Sequence, residues 1–204
     1  MRYNYIKSKQ FVEVNTMLYA AFPSYLREDL DTVMEILPNK TFGYVSAIIS
    51  DNAIPYILTN NIVEIPDRFY LLDIDDTVYD MLSQIQKQIL CCIYTRSCNG
   101  YIREKYLRKL LDMSFEEWAI PFIVKLCDEY VLEILEVIYN KLKIRNNTDI
   151  QSFCFENKTS IFKSYSRMIS YWNEYYREQH SNLNQYIGRR LFRECLGYDR
   201  SFDK

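Results

Sequence analysis

The chain has 204 residues, 4 of them Gly and 5 Pro, a composition too poor in turn formers for collagen-like, low-complexity or glycine-looped folds. Hydrophobic residues make up 49%, which excludes disorder, and no apolar run approaches the roughly 20 residues of a membrane span. A net charge of -2 with a single histidine excludes an overall basic footprint for nucleic acid and any chemistry needing two imidazoles.

In chain order the first expected element is a buried helix over 11–21, ended by Pro23. After Ser24, the residues Leu26, Leu30, Val33, Ile36 and Leu37 recur at helical spacing. Glu28 and Asp29 fall in that first turn, where the helix dipole favours acids, and Pro38 stops the element. The run TFGYVSAII at 41–49 fits a short helix or a strand equally well. Two apolar segments flank Thr59-Asn60-Asn61, predicting a minor hairpin near 54–66 whose Pro55 and Pro66 confine the strands to an edge or their ends.

A long helix is expected from Asp75 or Asp76 to Tyr94, on the stripe Val78, Leu82, Ile85, Ile89 and Ile93, with Gly100 as its left-handed cap. A short helix follows, burying Ile102, Tyr106 and Leu110. Ser114 and Glu117 have the spacing of a capping box, and Pro121 suits the first turn of a helix running to Lys143. Arg145-Asn146-Asn147 reads as a short linker. Beyond it come an aromatic segment at 152–156, a helix over 158–180 and a last helix over 182–196 capped by Gly197. The expected architecture is all-α: a single-domain bundle of about six to eight helices with a minor hairpin, centred on the 76–94 and 121–143 helices. The domain spans 1–204, with 148–204 as a candidate C-terminal helical subdomain.

Six cysteines sit at 91, 92, 98, 127, 154 and 195 without zinc-knuckle spacing, and the N-terminal MRYNYIKSKQ lacks a signal-peptide core. They read as reduced thiols in a cytoplasmic protein, with no metal and no cofactor implied.

Three groups of residues could carry function. The first is Asp73-Ile-Asp75-Asp76-Thr77 after the hydrophobic Phe69–Leu72. This segment resembles the first motif of haloacid dehalogenase-like phosphohydrolases. The resemblance implies a Mg²⁺-dependent enzyme with Asp73 as nucleophile and metal ligand, Asp75 as general acid/base and Thr77 as an orienting hydroxyl. It also implies that Asp73 ends a strand of a parallel sheet. The residues alone read rather as an acidic helix cap, with Asp75 or Asp76 at the N-terminus of the following helix.

The second group is basic: Arg96, Arg103, Lys105, Arg108 and Lys109 against Glu104, interleaved with Tyr94, Tyr101 and Tyr106, the pattern of a groove for single-stranded nucleic acid. A second basic and aromatic stretch runs from Lys163 to Arg177, where Met168, Ile169, Trp172 and Tyr176 also fit a core stripe. The third group is acidic: Asp112, Glu116, Glu117, Asp128, Glu129, Glu133 and Glu136 against Lys125. Segregated charge of this sign steers a basic protein partner, and Tyr and Trp are favoured interface anchors. The absence of an assembled catalytic set favours a non-catalytic protein that binds another protein, with immunity or antitoxin inhibitors as the closest type. Its expected contact face is Asp112, Glu116, Glu117, Glu129, Glu133 and Glu136. The phosphohydrolase is the alternative, and an RNA-binding helical protein the third reading.

Overall fold

The computed structural model describes residues 14–38 and 52–198, which are mostly helical and carry one two-stranded antiparallel hairpin. The 41–49 segment and the start of the 11–21 helix lie outside the described residues. The chain clusters into two compact units: the first takes the residues up to Pro55 together with Ile62–Leu110, the second Tyr56–Asn61 and everything from Leu111. The division falls after Leu110, whereas the sequence suggests a C-terminal part from residue 148.

In the first unit, α1 covers 14–21, and Pro23 separates it from a 3₁₀ turn at Ser24–Leu26 that runs into α2, Arg27–Ile36. Leu30, Val33 and Met34 give α2 its buried side, which packs on α4. The single helix expected over 75–94 is two: α3, Asp76–Asp80, and α4, Gln84–Tyr94. Ser83 imposes the break. Its hydroxyl accepts the Gln86 N–H while the Gln86 side chain accepts the Ser83 N–H, closing a capping box that starts a new helix. The Val78-Leu82-Ile85 part of the stripe is only half-buried or exposed, and the buried run is Gln88–Tyr94. Packing rather than period therefore decides where this helix begins.

α5 spans Gly100–Asp112 and crosses into the second unit at Leu111. Gly100 is its first residue, not a left-handed cap of α4, because Asn99 accepts the Tyr101 N–H with its side chain at 3.0 Å and so opens α5. Phe69 and Ser97 form an isolated parallel bridge: Phe69 N–H donates to the Arg96 carbonyl at 2.7 Å, and Cys98 N–H to the Phe69 carbonyl at 2.9 Å.

Strands β1, Ala53–Leu58, and β2, Asn61–Pro66, are joined by Thr59 and Asn60, both at positive φ (48° and 64°). That is the conformation of a type I′ turn, which matches strand twist. Asn adopts it readily, and Thr59, being β-branched, does so against its preference.

The second unit continues with a 3₁₀ turn at Glu117–Ala119 and α6, Ile120–Val124, with Pro121 in its first turn as expected. Glu116 stands at the start of that 3₁₀ turn without a side-chain cap bond, so the expected box at Ser114 and Glu117 does not open the element. The helix expected over 121–143 is interrupted. Residues 125–131 leave the helix, and α7 resumes at Leu132–Leu142 behind an extended Val131. Apolar side chains on both sides of the break are fully buried (Phe122 and Ile123, then Ile134 and Leu135), which is why the periodicity runs through it unmarked. α8 (Thr148–Glu156) and α9 (Lys158–Tyr171) meet at Asn157, and α9 widens into a π turn at Trp172–Tyr176. A 3₁₀ turn at Leu183–Gln185 leads to α10, Ile187–Glu194, which packs on α7 and α9 and ends before Gly197 at φ +69°.

Candidate partner-binding face

The three groups of residues singled out by the sequence have different fates. The aspartates of the Asp73 motif form a surface network in the first unit. Asp73 lies in a segment without strand structure whose only pairing is at Phe69, and the one sheet among the described residues is the hairpin. The strand end that the phosphohydrolase resemblance implies for Asp73 is therefore not where Asp73 sits. Instead Asp75 caps α3, accepting the Thr77 N–H at 2.8 Å and the Thr77 hydroxyl at 2.6 Å. Asp73 accepts from the Tyr106 hydroxyl at 2.6 Å and Lys105 at 2.9 Å, and Asp76 accepts from Lys109 at 2.9 Å.

All three carboxyls are held below their ordinary range. For Asp73, partial burial pushes the other way and is outweighed by the bonds from Tyr106 and Lys105. Thr77 does this for Asp75, and Lys109 with Lys105 for Asp76. Among the described residues, no group of three His, Cys, Asp or Glu side chains is placed to hold a metal ion.

The basic group is divided between interior and surface. Arg96 and Arg103 are buried, their guanidiniums donating to backbone carbonyls: Arg96 to Asp67, Arg103 to Ser97 and Cys98. Lys105 and Lys109 are engaged with Asp73 and Asp76, and Arg108 pairs with Glu104 one turn away. Lys105, Arg108 and Lys109 remain partly exposed in these pairs, which as surface ion pairs are weak.

Five of the six acidic positions reach solvent in the second unit: Asp112, which pairs with Lys141, and Glu116, Glu117, Glu133 and Glu136. Glu129 is the exception, only 3% exposed, and belongs to the interior rather than to a rim. Its neighbour Asp128 is equally buried and takes Lys125 Nζ on one oxygen at 3.4 Å and Arg167 on the other. Burying a carboxylate is costly unless such cations accompany it. This cluster is the physical content of the break at 125–131, because Lys125 and Asp128 are turned inward there and no longer face water along a helix.

The same break exposes a residue that the period of the 121–143 helix places on its buried side. Tyr130 stands at the start of α7 with 52% of its surface exposed. Its carbonyl accepts the hydroxyl of Tyr176, from the π turn. Its ring meets Tyr171 edge-on at 5.8 Å and Tyr175 at 6.3 Å, and those two rings are 6.1 Å apart. Tyr175 is 57% exposed, and Tyr176 continues the aromatic row to Tyr186, stacked at 5.7 Å. A π turn carries one residue more than an α turn. Here Trp172 and Met168 face inward as the core stripe requires, while Tyr175 is left in solvent.

Acids act on two members of the row. Burial raises the Tyr171 hydroxyl, with Arg167 opposing and Asp128 and Glu129 adding to the rise. Burial likewise raises Tyr176, to which the charge of Glu133 contributes. The signal in the sequence was the density of Tyr at 171–176, masked by 19 Tyr spread over the whole chain. Comparison of the chain with protein-family models, curated proteins and solved structures gives no match.

Proposed function

We propose that this chain, a helical bundle in architecture, is a non-catalytic protein that acts by binding another protein with a basic surface. An inhibitor of the immunity or antitoxin type is the specific form we favour. The observation that carries the reading is the pairing of Tyr130 and Tyr175, both more than half exposed yet packed ring against ring, with the exposed acids Glu133 and Glu136 of α7. Aromatic side chains already ordered in the free protein lose little freedom on association, and neighbouring acids select a basic surface. Glu129 leaves the expected contact set because it is buried, and Tyr130 and Tyr175 join it. The cytoplasm is the proposed setting, supported by six cysteines that are all free. No helix among the described residues is long and apolar enough to cross a membrane.

The test uses the whole chain as bait in extract of the source cell, with the captured protein then titrated against variants. Glu133→Lys/Glu136→Lys should weaken the captured complex by about tenfold or more while melting stays within a degree or two. Weakened melting with unchanged binding would make these acids structural. An empty capture would remove the reading, and Mg²⁺-dependent phosphatase activity of wild type against Asp73→Asn would become the question.

A further inference from the structure

The chain covers many of its aromatic faces with its own cations. Arg27 lies over Tyr19, Lys109 over Tyr79, Arg145 over Phe115 and Arg190 over Tyr139. The densest tyrosine cluster is treated differently. Among the described residues, no Lys or Arg lies over Tyr130, Tyr171 or Tyr175, although Arg167 is close enough to Tyr171 to act on its hydroxyl. Arg167 is instead drawn to buried Asp128. The rings of Tyr130 and Tyr175 thus present exposed faces, and the exposed carboxylates of Glu133 and Glu136 follow Tyr130 at the start of α7, Glu133 close enough to Tyr176 to raise its hydroxyl.

We propose that the Tyr130–Tyr171–Tyr175 cluster is the seat of an arginine side chain presented by the partner protein, its guanidinium lying over the exposed faces of Tyr130 and Tyr175 and its charge balanced by Glu133 and Glu136. The proposal rests on the protein-binding reading above and names the group recognised at that same face. Ring quadrupoles attract cations, and the planar, weakly hydrated guanidinium stacks on a ring where an ammonium only touches it, so arginine is preferred over lysine. Stacked nucleobases would use the same faces, but their phosphates would meet Glu133 and Glu136, and like charge disfavours them.

The test uses the full chain and three labelled probes at about 50 mM salt: an arginine hexapeptide, a lysine hexapeptide and hexauridylate. The arginine peptide should bind several-fold more tightly than the lysine peptide, and Tyr130→Ser/Tyr175→Ser should weaken it by about tenfold and abolish the preference. Tyr130→Phe/Tyr175→Phe, which keeps the rings, should retain it. In wild type the arginine δ-methylene protons should shift upfield under the ring currents, a readout that does not depend on any variant folding.

An unshifted spectrum, equal binding of the serine variant, or tighter binding of hexauridylate than of the arginine peptide would overturn the proposal. If the Glu133→Lys/Glu136→Lys variant loses the captured partner while the serine variant keeps the arginine peptide, the arginine seat falls and the protein-binding reading survives. If no partner is captured yet the rings select the arginine peptide, the reverse holds.

Discussion

The side-chain amide of Asn157 bonds to both backbone groups of Ile57, accepting its N–H at 2.7 Å and donating to its carbonyl at 2.9 Å. The same amide nitrogen reaches the Phe153 carbonyl at 2.9 Å, at the junction of α8 and α9. One buried side chain thereby does for β1 what a third strand would do, and closes an edge that could otherwise pair with a foreign chain. Asn157→Ala should cost about 1–3 kcal/mol in urea unfolding, since buried polar groups lose their partners. Asn157→Asp should cost a similar amount, because it keeps the acceptor for Ile57 N–H and loses the donor. An unchanged midpoint in both variants would show that water replaces the amide.

Gly188 occupies the start of α10 for lack of space. A Cβ there would lie 2.7 Å from the Tyr186 ring and 2.8 Å from Met168 Cγ. Its backbone is helical, so alanine brings a propensity gain of up to about 1 kcal/mol. Overpacking costs about 1–3 kcal/mol and should outweigh that gain, so Gly188→Ala is expected to lower the melting temperature. A rise in melting temperature would mean that Met168 swings aside freely.

Glu194 is held at a pKa of about 2 by the Tyr139 hydroxyl, Arg190 and Arg193. A carboxyl whose folded pKa is depressed adds stability above its ordinary value of 4.5 and loses it as pH falls towards the folded value. Wild type should therefore lose its advantage over Glu194→Gln progressively between pH 4.5 and about 2. Urea midpoints of the two proteins that run parallel through this window would remove Glu194 from the acid response. Asp73, Asp75 and Asp76 are depressed in the same direction and persist in both proteins, so the difference isolates Glu194.

Five of the six thiols are buried, and Cys98 alone is partly exposed. Burial pushes Cys91 up to about 12 and Cys195 to about 11, and raises Cys92, Cys127 and Cys154 as well. The thiolate is the reactive species, so these five should resist a disulfide reagent at pH 8 until the chain unfolds. Burial raises the Cys98 thiol too, but it alone is reached by solvent, so native protein should release one equivalent, mapped to Cys98 by mass spectrometry, and denatured protein all six. Fast labelling at Cys195 would indicate that the end of α10 opens readily.

Helix type and the hairpin were legible because they rest on period, proline placement and turn residues: Pro23, Pro121, Thr59-Asn60 and Gly197 each act as the sequence implies. The interruptions were not, because the apolar period continues across Ser83 and across 125–131. Buried charge was the larger blind spot. Arg96, Arg103, Lys125, Asp128 and Glu129 carry the residue types of a solvated face, and only their tertiary surroundings turn them inward. Two of the five basic positions and one of the six acidic positions expected from sequence therefore vanish into the interior. Tyr130 emerges for the complementary reason, since in an uninterrupted helix it would have continued a buried stripe.

The bridge between Phe69 and Ser97 ties the irregular approach to the Asp73 segment to the end of α4, and Arg103 braces it by donating to the Ser97 and Cys98 carbonyls. Phe69, Arg96 and Ser97 are all buried there. The amide hydrogens of Phe69 and Cys98 should accordingly exchange with deuterium as slowly as those of the α4 interior, although neither residue belongs to a helix or an extended sheet. They become clocks for this junction: solvent can replace these hydrogens only when the segment at Phe69 parts from the turn after α4.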